Sequence, residues 1–167
     1  MSEFMDTNTV LTQGRAIARA LRTISAATGK AFTMRTKPGR FALQKTVYLL
    51  KRSRYPPAER FDYNIYLNGP YSPDLAQVYY ALEDDGLARA TPDPSIPPPT
   101  VQMITDALAH GEDFLEGLTT VVDGIPREGS PGAALGWARS MKPHLSEATW
   151  REVRTFLGAH PELTRRT

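Results

Sequence analysis

Five prolines lie between positions 92 and 99 of this chain, and this density constrains the fold more than any other feature of the sequence. Proline has no backbone N–H and a fixed φ angle, so such a run interrupts both helices and sheets. We therefore predict that residues 91–100 form an extended, semi-rigid linker. It separates a mixed N-terminal part, residues 9–90, from a helical C-terminal part, residues 101–167, which we expect to pack on the first.

Apolar residues on both sides of this segment recur at the helical spacing of three or four positions. In the first helix, Ile17, Leu21 and Ile24 form such a stripe. With capping residues and glycines as boundaries, the pattern predicts helices over about 9–27, 41–52, 73–85, 101–110, 112–122, 131–141 and 147–157. Residues 61–68 alternate between apolar and polar side chains, as in a half-buried strand. The predicted class is mainly α (α+β), with a small β element in a winged-helix-like N-terminal part and a helical C-terminal extension.

The 167 residues include no cysteine, which excludes disulfides, thiolate metal sites and cysteine nucleophiles. No apolar run reaches the length of a membrane span, and the first residues lack the pattern of a secretory signal. We therefore predict a cytoplasmic protein without a membrane partner. Residues 1–8 are predicted to be a disordered N-terminus, of which residues 1–4 resemble a cloning remnant.

Positive and negative residues are separated along the chain. Residues 15–60 contain twelve lysines and arginines but one acidic residue, whereas residues 61–125 contain eleven acidic residues but one arginine. This asymmetry predicts a charge-polarised surface, and hence a charged macromolecular partner. The alternative is that the two segments pack together and neutralise each other.

The chain carries no motif of a catalytic or cofactor site. The phosphate-binding pattern GxxxxGK(S/T) and the nucleophile pattern GxSxG are both absent. The three histidines are far apart in the sequence, which argues against a metal site. The candidates for a divalent ion that cleaves phosphodiesters are Glu83, Asp84 and Asp85, together with Asp62 or Asp74. We predict no catalytic residue, no metal and no cofactor.

Residues 66–72, Tyr-Leu-Asn-Gly-Pro-Tyr-Ser, join a turn to the start of a helix. Gly69 permits a chain reversal, and Ser72 is placed to cap the helix. Tyrosines are frequent on both sides of this joint, and tyrosine is favoured in protein interfaces; Tyr66 and Tyr71 are expected at the surface. A purely structural joint is the alternative. The predicted partner-binding residues are Gln44, Lys45, Tyr48, Tyr66, Asn68, Gly69, Pro70, Tyr71 and Ser72.

Two segments resemble a known family. Residues 41–50, Phe-Ala-Leu-Gln-Lys-Thr-Val-Tyr-Leu-Leu, are similar to the Leu-Gln-Lys-…-Tyr-Leu helix of the Panacea domains, the SocA-type antitoxin group, and of YwgA-like proteins. Residues 66–75 resemble the Gly-Pro-Tyr-Ser turn of the same proteins, so the likeness covers about residues 40–90. It implies a compact helical domain with a small β element, without known catalytic residues, and a toxin as the protein partner.

The sequence leaves three functions open. The first is a non-enzymatic antitoxin-like or adaptor module that binds a protein partner, with a homodimer as a further form of assembly. The second is a winged-helix-like DNA-binding regulator, whose phosphate contacts come from Arg15, Arg19, Arg22, Arg35, Lys37, Arg40, Lys51, Arg52 and Arg54. The third is a metal-dependent nuclease built on the acidic residues.

Overall fold

The computed structural model describes residues 7–165, which form eight α-helices and one short hairpin. The helices are α1 (Thr7–Thr28), α2 (Lys37–Arg52), α3 (Pro56–Glu59), α4 (Pro73–Arg89), α5 (Pro98–Ala109), α6 (Glu112–Glu128), α7 (Pro131–Met141) and α8 (Glu147–Ala159). A 3-10 turn, Pro161–Thr164, follows α8. The strands β1 (Asn64–Tyr66) and β2 (Gly69–Tyr71) pair antiparallel, with Ile65 opposite Pro70. The predicted mainly helical class with a small β element is confirmed.

Helix α6 lies at the centre of the packing. It contacts α7 and α8 on the C-terminal side and α2, α5 and β2 on the other, while α1 packs on α4 and α5. Every residue from Phe114 to Val122 is buried, and so is every residue from Leu43 to Leu50 in α2. The buried apolar side chains therefore form one core that extends from α1 to the end of α8.

The proline-rich segment is packed and is partly helical. Helix α5 begins at Pro98, so the last three residues of the predicted linker belong to a helix. This is possible because the first helical position needs no N–H donor. Ahead of it, Asp93 N donates to Thr23 Oγ1 over 2.8 Å, and Ile96 is buried in the core. These contacts hold against α1 a segment that was predicted to be an extended, semi-rigid linker.

Several element boundaries differ from the prediction, because residues predicted to be helix breakers lie inside helices. Helix α2 begins at Lys37 instead of residue 41, and Thr36 Oγ1 caps it by accepting from Gly39 N over 3.1 Å. Helix α4 continues past Gly86 to Arg89, with a break at Glu83, whose φ is 55°. Helix α6 continues past Gly124 to Glu128.

The predicted strand is longer than the observed one, and α1 begins inside the segment predicted to be a disordered N-terminus. Only Asn64–Tyr66 of residues 61–68 pairs in the hairpin, and its partner strand Gly69–Tyr71 was not predicted. The disordered N-terminus expected at residues 1–8 lies mostly outside the described residues, but Thr7 and Asn8 already belong to α1. Within residues 7–165, none of the helices has the length and apolar character needed to cross a bilayer.

A pair of glycine substitutions tests the packing of α7 on α6. A Cβ atom on Gly124 would lie 2.8 Å from Cε3 and Cζ3 of Trp137, whereas a Cβ on Gly136 in α7 would meet nothing within 4 Å. Gly124→Ala is therefore expected to lower the free energy of unfolding by about 1–3 kcal/mol through overpacking. Gly136→Ala is expected to raise it by about 0.5–1 kcal/mol, because alanine loses less backbone entropy on folding. Urea unfolding followed by tryptophan fluorescence measures both; equal effects of the two changes would contradict this packing.

Candidate functional site

The N-terminal half of α2, the hairpin and α4 enclose a cleft of about 300 Å³. We call it the tyrosine cleft. Its lining residues are Lys37, Arg40, Phe41, Gln44, Lys45, Tyr66, Leu67, Asn68, Gly69, Tyr71, Tyr79 and Tyr80.

Gln44 connects α2 to the start of α4. Its Nε2 donates to Ser72 O, and its Oε1 accepts from Ser72 N, both over 2.9 Å. Ser72 Oγ in turn accepts from Leu75 N over 3.2 Å, which confirms the predicted helix cap. Gln44 and Ser72 are both buried, and their polar groups bond to each other and to Leu75. They therefore position the walls of the cleft.

Lys45 lies at the base of the cleft, with only 2% of its surface exposed. Its Nζ donates to Pro70 O over 2.7 Å and lies 5.0 Å from the centroid of the Phe41 ring. Burial lowers the pKa of this amine to about 7; the negative charge of Glu116 opposes this effect and the positive charge of Lys142 adds to it. A substantial fraction of the Lys45 side chains is therefore uncharged at neutral pH.

The C-terminal helices hold the hairpin from behind. Lys142, just after α7, is buried and donates from Nζ to Tyr66 O over 3.3 Å and to Leu67 O. Its charge is compensated by Glu116 of α6, whose Oε2 is 3.4 Å from Lys142 Nζ and 2.9 Å from His144 Nε2. Residues from outside the sequence motif therefore fix the backbone of the cleft.

The tyrosines form the walls as two pairs. The rings of Tyr66 and Tyr71 meet edge to face with centroids 5.2 Å apart, and those of Tyr79 and Tyr80 are 5.0 Å apart. Tyr66 is 50% exposed, Tyr80 is 52% exposed and Leu67 at the hairpin tip is 89% exposed. Tyr71 is half-buried. The cleft therefore presents a patch of aromatic and aliphatic surface to the solvent.

The structure brings six of the nine predicted partner-binding residues into this lining: Gln44, Lys45, Tyr66, Asn68, Gly69 and Tyr71. Pro70 and Ser72 are buried behind it. Tyr48 is buried as well and donates its hydroxyl to Asp123 Oδ1 over 3.2 Å. Tyr48, predicted as a partner-binding residue, therefore lies inside the core and outside the cleft lining, because α6 covers that face of α2.

The predicted basic surface is divided among several places. Arg15 on α1 is exposed, but Arg19 donates to the carbonyls of Thr91 and Pro92, and Arg22 donates to that of Ala90. These two arginines therefore attach the proline-rich segment to α1.

Few direct ion pairs join the basic and acidic segments in the described residues. Two ion pairs join them there, Arg35–Asp84 at 3.5 Å and Lys51–Asp62 at 4.0 Å. Most lysine and arginine side chains of the basic segment that form hydrogen bonds donate them to backbone carbonyls instead of carboxylates.

A second cleft, of about 350 Å³, lies at the C-terminal end of α2. We call it the basic cleft; it is lined by Lys51, Arg52, Ser53, Arg54, Glu59, Thr100, Glu162 and Arg165. Three residues predicted for nucleic-acid binding meet there, namely Lys51, Arg52 and Arg54. Lys37 and Arg40, by contrast, line the tyrosine cleft.

Asp84, one of the acidic residues proposed for a metal site, has another role in the structure. Asp84 accepts from Thr33 Oγ1 over 2.6 Å and from Met34 N over 2.8 Å, and these bonds lower the pKa of its carboxyl group. Among residues 7–165, no three histidine, aspartate or glutamate side chains are grouped so as to hold a metal ion. The acidic cluster thus lends no support to a nuclease.

Comparison of the chain with protein-family models, with curated proteins and with solved structures finds no match.

Gly69 is the position where the cleft least tolerates a side chain. Its φ is +94°, and a Cβ there would lie 3.1 Å from Thr120 Oγ1 and 3.3 Å from Lys45 Nζ. Gly29 is a matched control, with φ +74° and nothing within 4 Å. Gly29→Ala is expected to cost about 1–2 kcal/mol of stability through backbone strain alone. Gly69→Ala is expected to cost at least about 1 kcal/mol more through crowding. Urea unfolding of both variants measures the difference, and equal losses would show that the space around Gly69 is not restrictive.

Proposed function

We propose that this protein is a non-catalytic binding module, antitoxin-like or an adaptor, that captures a protein partner in the tyrosine cleft. The observation that carries the proposal is the surface of the cleft. Five large apolar side chains are exposed in the described part of the chain. Three of them, Tyr66, Leu67 and Tyr80, border the cleft. Exposed patches of this kind mark interaction sites, and tyrosines are frequent hot spots of protein interfaces.

The hydrogen bonds beneath this surface indicate that the cleft is formed before a partner binds. The bonds between Gln44 and Ser72 and those from Lys142 to the hairpin carbonyls fix the cleft from two sides. A partner that binds a rigid cleft does not have to order it first, which favours affinity.

The nature of the partner is suggested by the sequence motif. The two segments that resemble the Panacea and YwgA-like proteins include much of the cleft lining, between Phe41 and Tyr71. A protein toxin is therefore the partner class that we favour. A cytoplasmic location belongs to the same proposal.

Site-specific photo-crosslinking in cells of the native host tests this function. The crosslinker p-benzoyl-phenylalanine replaces Leu67 at the hairpin tip or, as a control, Ala133, which is exposed on α7 and outside the cleft. We expect one discrete cross-linked protein from position 67, lost when Tyr66 and Tyr80 are changed to alanine. No product, or the same products from position 133, would contradict the proposal.

The basic cleft supports nucleic-acid binding as a second candidate function. It gathers four cations, Lys51, Arg52, Arg54 and Arg165, beside two glutamates. Because α2 is buried from Leu43 to Leu50, it cannot enter a major groove as a recognition helix does. Any such binding would therefore be to the phosphate backbone.

Salt dependence tests this second candidate. A short DNA duplex should bind at about 50 mM salt and lose affinity steeply by about 200 mM, because counterions are released on binding. The salt slope is the slope of the logarithm of the binding constant against the logarithm of the salt concentration. Changing Arg52 and Arg54 to alanine should reduce its magnitude by about one for each phosphate that the variant no longer neutralises. Arg15→Ala, which removes an exposed cation of α1, should leave the slope unchanged. Equal slopes for all variants would exclude the basic cleft.

A further inference from the structure

The charged side chains that line the tyrosine cleft are all basic residues. Its described lining contains Lys37, Arg40 and Lys45 and no aspartate or glutamate. Arg40 uses one guanidinium nitrogen to reach Met34 O over 3.0 Å, and Lys37 lies exposed at the rim. Such a lining attracts an anionic group and repels a basic one.

Lys45 is a buried amine whose hydrogen-bonding capacity the protein satisfies only in part. An ammonium group has three hydrogens to donate, yet among the described residues Lys45 Nζ donates to one acceptor, Pro70 O. A buried ammonium group normally needs an opposite charge in contact with it. No carboxylate of the described chain lies within ion-pair distance of Lys45 Nζ, as the pairs formed by Glu116 are with Lys142 and His144.

From these observations, and on the basis of the function proposed above, we infer that the partner inserts a carboxylate side chain over Lys45 and that binding protonates the Lys45 amine. The neighbouring aromatic surface, Tyr66 and Tyr80, then covers an apolar residue beside that acid. The proton comes from solvent and joins the amine nitrogen. The product is an ammonium–carboxylate pair shielded from water, which is stronger than the same pair at the surface.

The groups that face Lys45 determine whether its amine is protonated. They come from its own helix, the hairpin, α4, α6 and the segment after α7, and comprise Lys37, Arg40, Tyr66, Tyr71, Tyr79, Tyr80, Glu116, Asp123 and Lys142. Burial has the largest effect and favours the neutral amine in the free protein. A carboxylate in contact reverses the balance, because an opposite charge favours the ammonium form.

Phenylacetate, which carries an aromatic ring beside a carboxylate, is the probe that we choose for this site. Phenylacetamide has the same shape without the charge. NMR titration of the full chain should show phenylacetate shifting the backbone amide signals of Leu67, Gly69 and Tyr71, with a dissociation constant in the millimolar range expected for a ligand of this size. Phenylacetamide should bind much more weakly.

The pH dependence of phenylacetate affinity shows whether Lys45 is the group that binds the carboxylate. Phenylacetate affinity should fall by up to about tenfold between about pH 7.5 and about pH 8.5, because binding takes up a proton that is scarcer at the higher pH. Calorimetry in buffers of different ionisation enthalpy should show the same proton uptake. Lys45→Met should abolish carboxylate preference and pH dependence together, in a protein whose other NMR signals are unchanged. Lys37→Met, the matched control at the rim, should weaken binding but keep its pH dependence.

The outcomes separate this inference from the function on which it rests. Equal binding of phenylacetate and phenylacetamide, no binding of either, or an affinity for phenylacetate independent of pH would overturn the role of Lys45. A cross-linked partner at position 67 combined with any of these results would leave the proposed function intact and refute the inference alone. Carboxylate binding at Lys45 without a cross-linked partner would instead refute the proposed function.

Discussion

Changing Glu116 to alanine is expected to lower the free energy of unfolding by about 3–5 kcal/mol, because it leaves a buried charge without its partner. Glu116 and Lys142 are both buried, and Glu116 Oε2 lies 3.4 Å from Lys142 Nζ. Once the carboxylate is removed, Lys142 retains only its bonds to hairpin carbonyls. Urea denaturation at neutral pH, followed by circular dichroism, measures the loss.

Two further variants show whether the uncompensated charge is responsible. The double change Glu116→Leu with Lys142→Met removes both charges and should recover most of the loss, as buried pairs replaced by apolar residues often do. Glu112→Ala, at an exposed position in the first turn of α6, should stay within about 0.5 kcal/mol of the unchanged protein. A Glu116→Ala variant as stable as Glu112→Ala would show that this ion pair does not support the hairpin.

The stability of the protein is expected to rise with pH above neutrality by an amount that depends on Lys45. Burial lowers the pKa of Lys45 from 10.5 to about 7 in the folded state. Between these two values the unfolded chain holds a proton on this amine and the folded chain does not. Unfolding therefore takes up a proton, and stability increases with pH by on the order of 1 kcal/mol per pH unit over this window. Below about pH 7 both states are protonated, and the effect of Lys45 is constant.

Lys45→Met isolates this contribution, since all other titrating groups remain. The difference in unfolding free energy between the unchanged protein and Lys45→Met should be constant from about pH 5 to 6.5 and should shift in favour of the unchanged protein up to about pH 9. Chemical denaturation at a series of pH values measures it. Parallel stability curves would mean that Lys45 titrates at its ordinary value and is not desolvated.

Local signals in the sequence predicted the helices and their starts. Ser72, Ser130 and Ser146 each cap a helix as expected, since each hydroxyl accepts from the backbone N–H three residues later. Capping depends on a few neighbouring residues, so a sequence reveals it. The cleft residues of the hairpin were found for the same reason, because a turn and a cap in one short segment place Tyr66 and Tyr71 close together.

Long-range packing determined what the sequence did not reveal. Gly124 was expected to end a helix, but it lies within α6 and under Trp137, where α7 packs on α6. The pairing of Glu116 with Lys142 joins residues that are distant in the sequence, and no local pattern specifies it. One signal was available: Glu116 in α6 interrupts a run of otherwise apolar or small residues, and Gln44 and Lys45 together interrupt a largely apolar run in α2. A charged residue within such a run indicates a buried polar contact.

The central claim, that the tyrosine cleft binds the partner, is tested most directly by calorimetry with the protein that cross-links at position 67. Purified partner is titrated into the unchanged chain, into a variant with Tyr66→Ala and Tyr80→Ala, and into Arg15→Ala. We predict that the double cleft variant loses at least about 2 kcal/mol of binding free energy, the scale of an interface hot spot, while Arg15→Ala binds as the unchanged chain does. Equal affinity of the double variant and the unchanged chain would contradict the account.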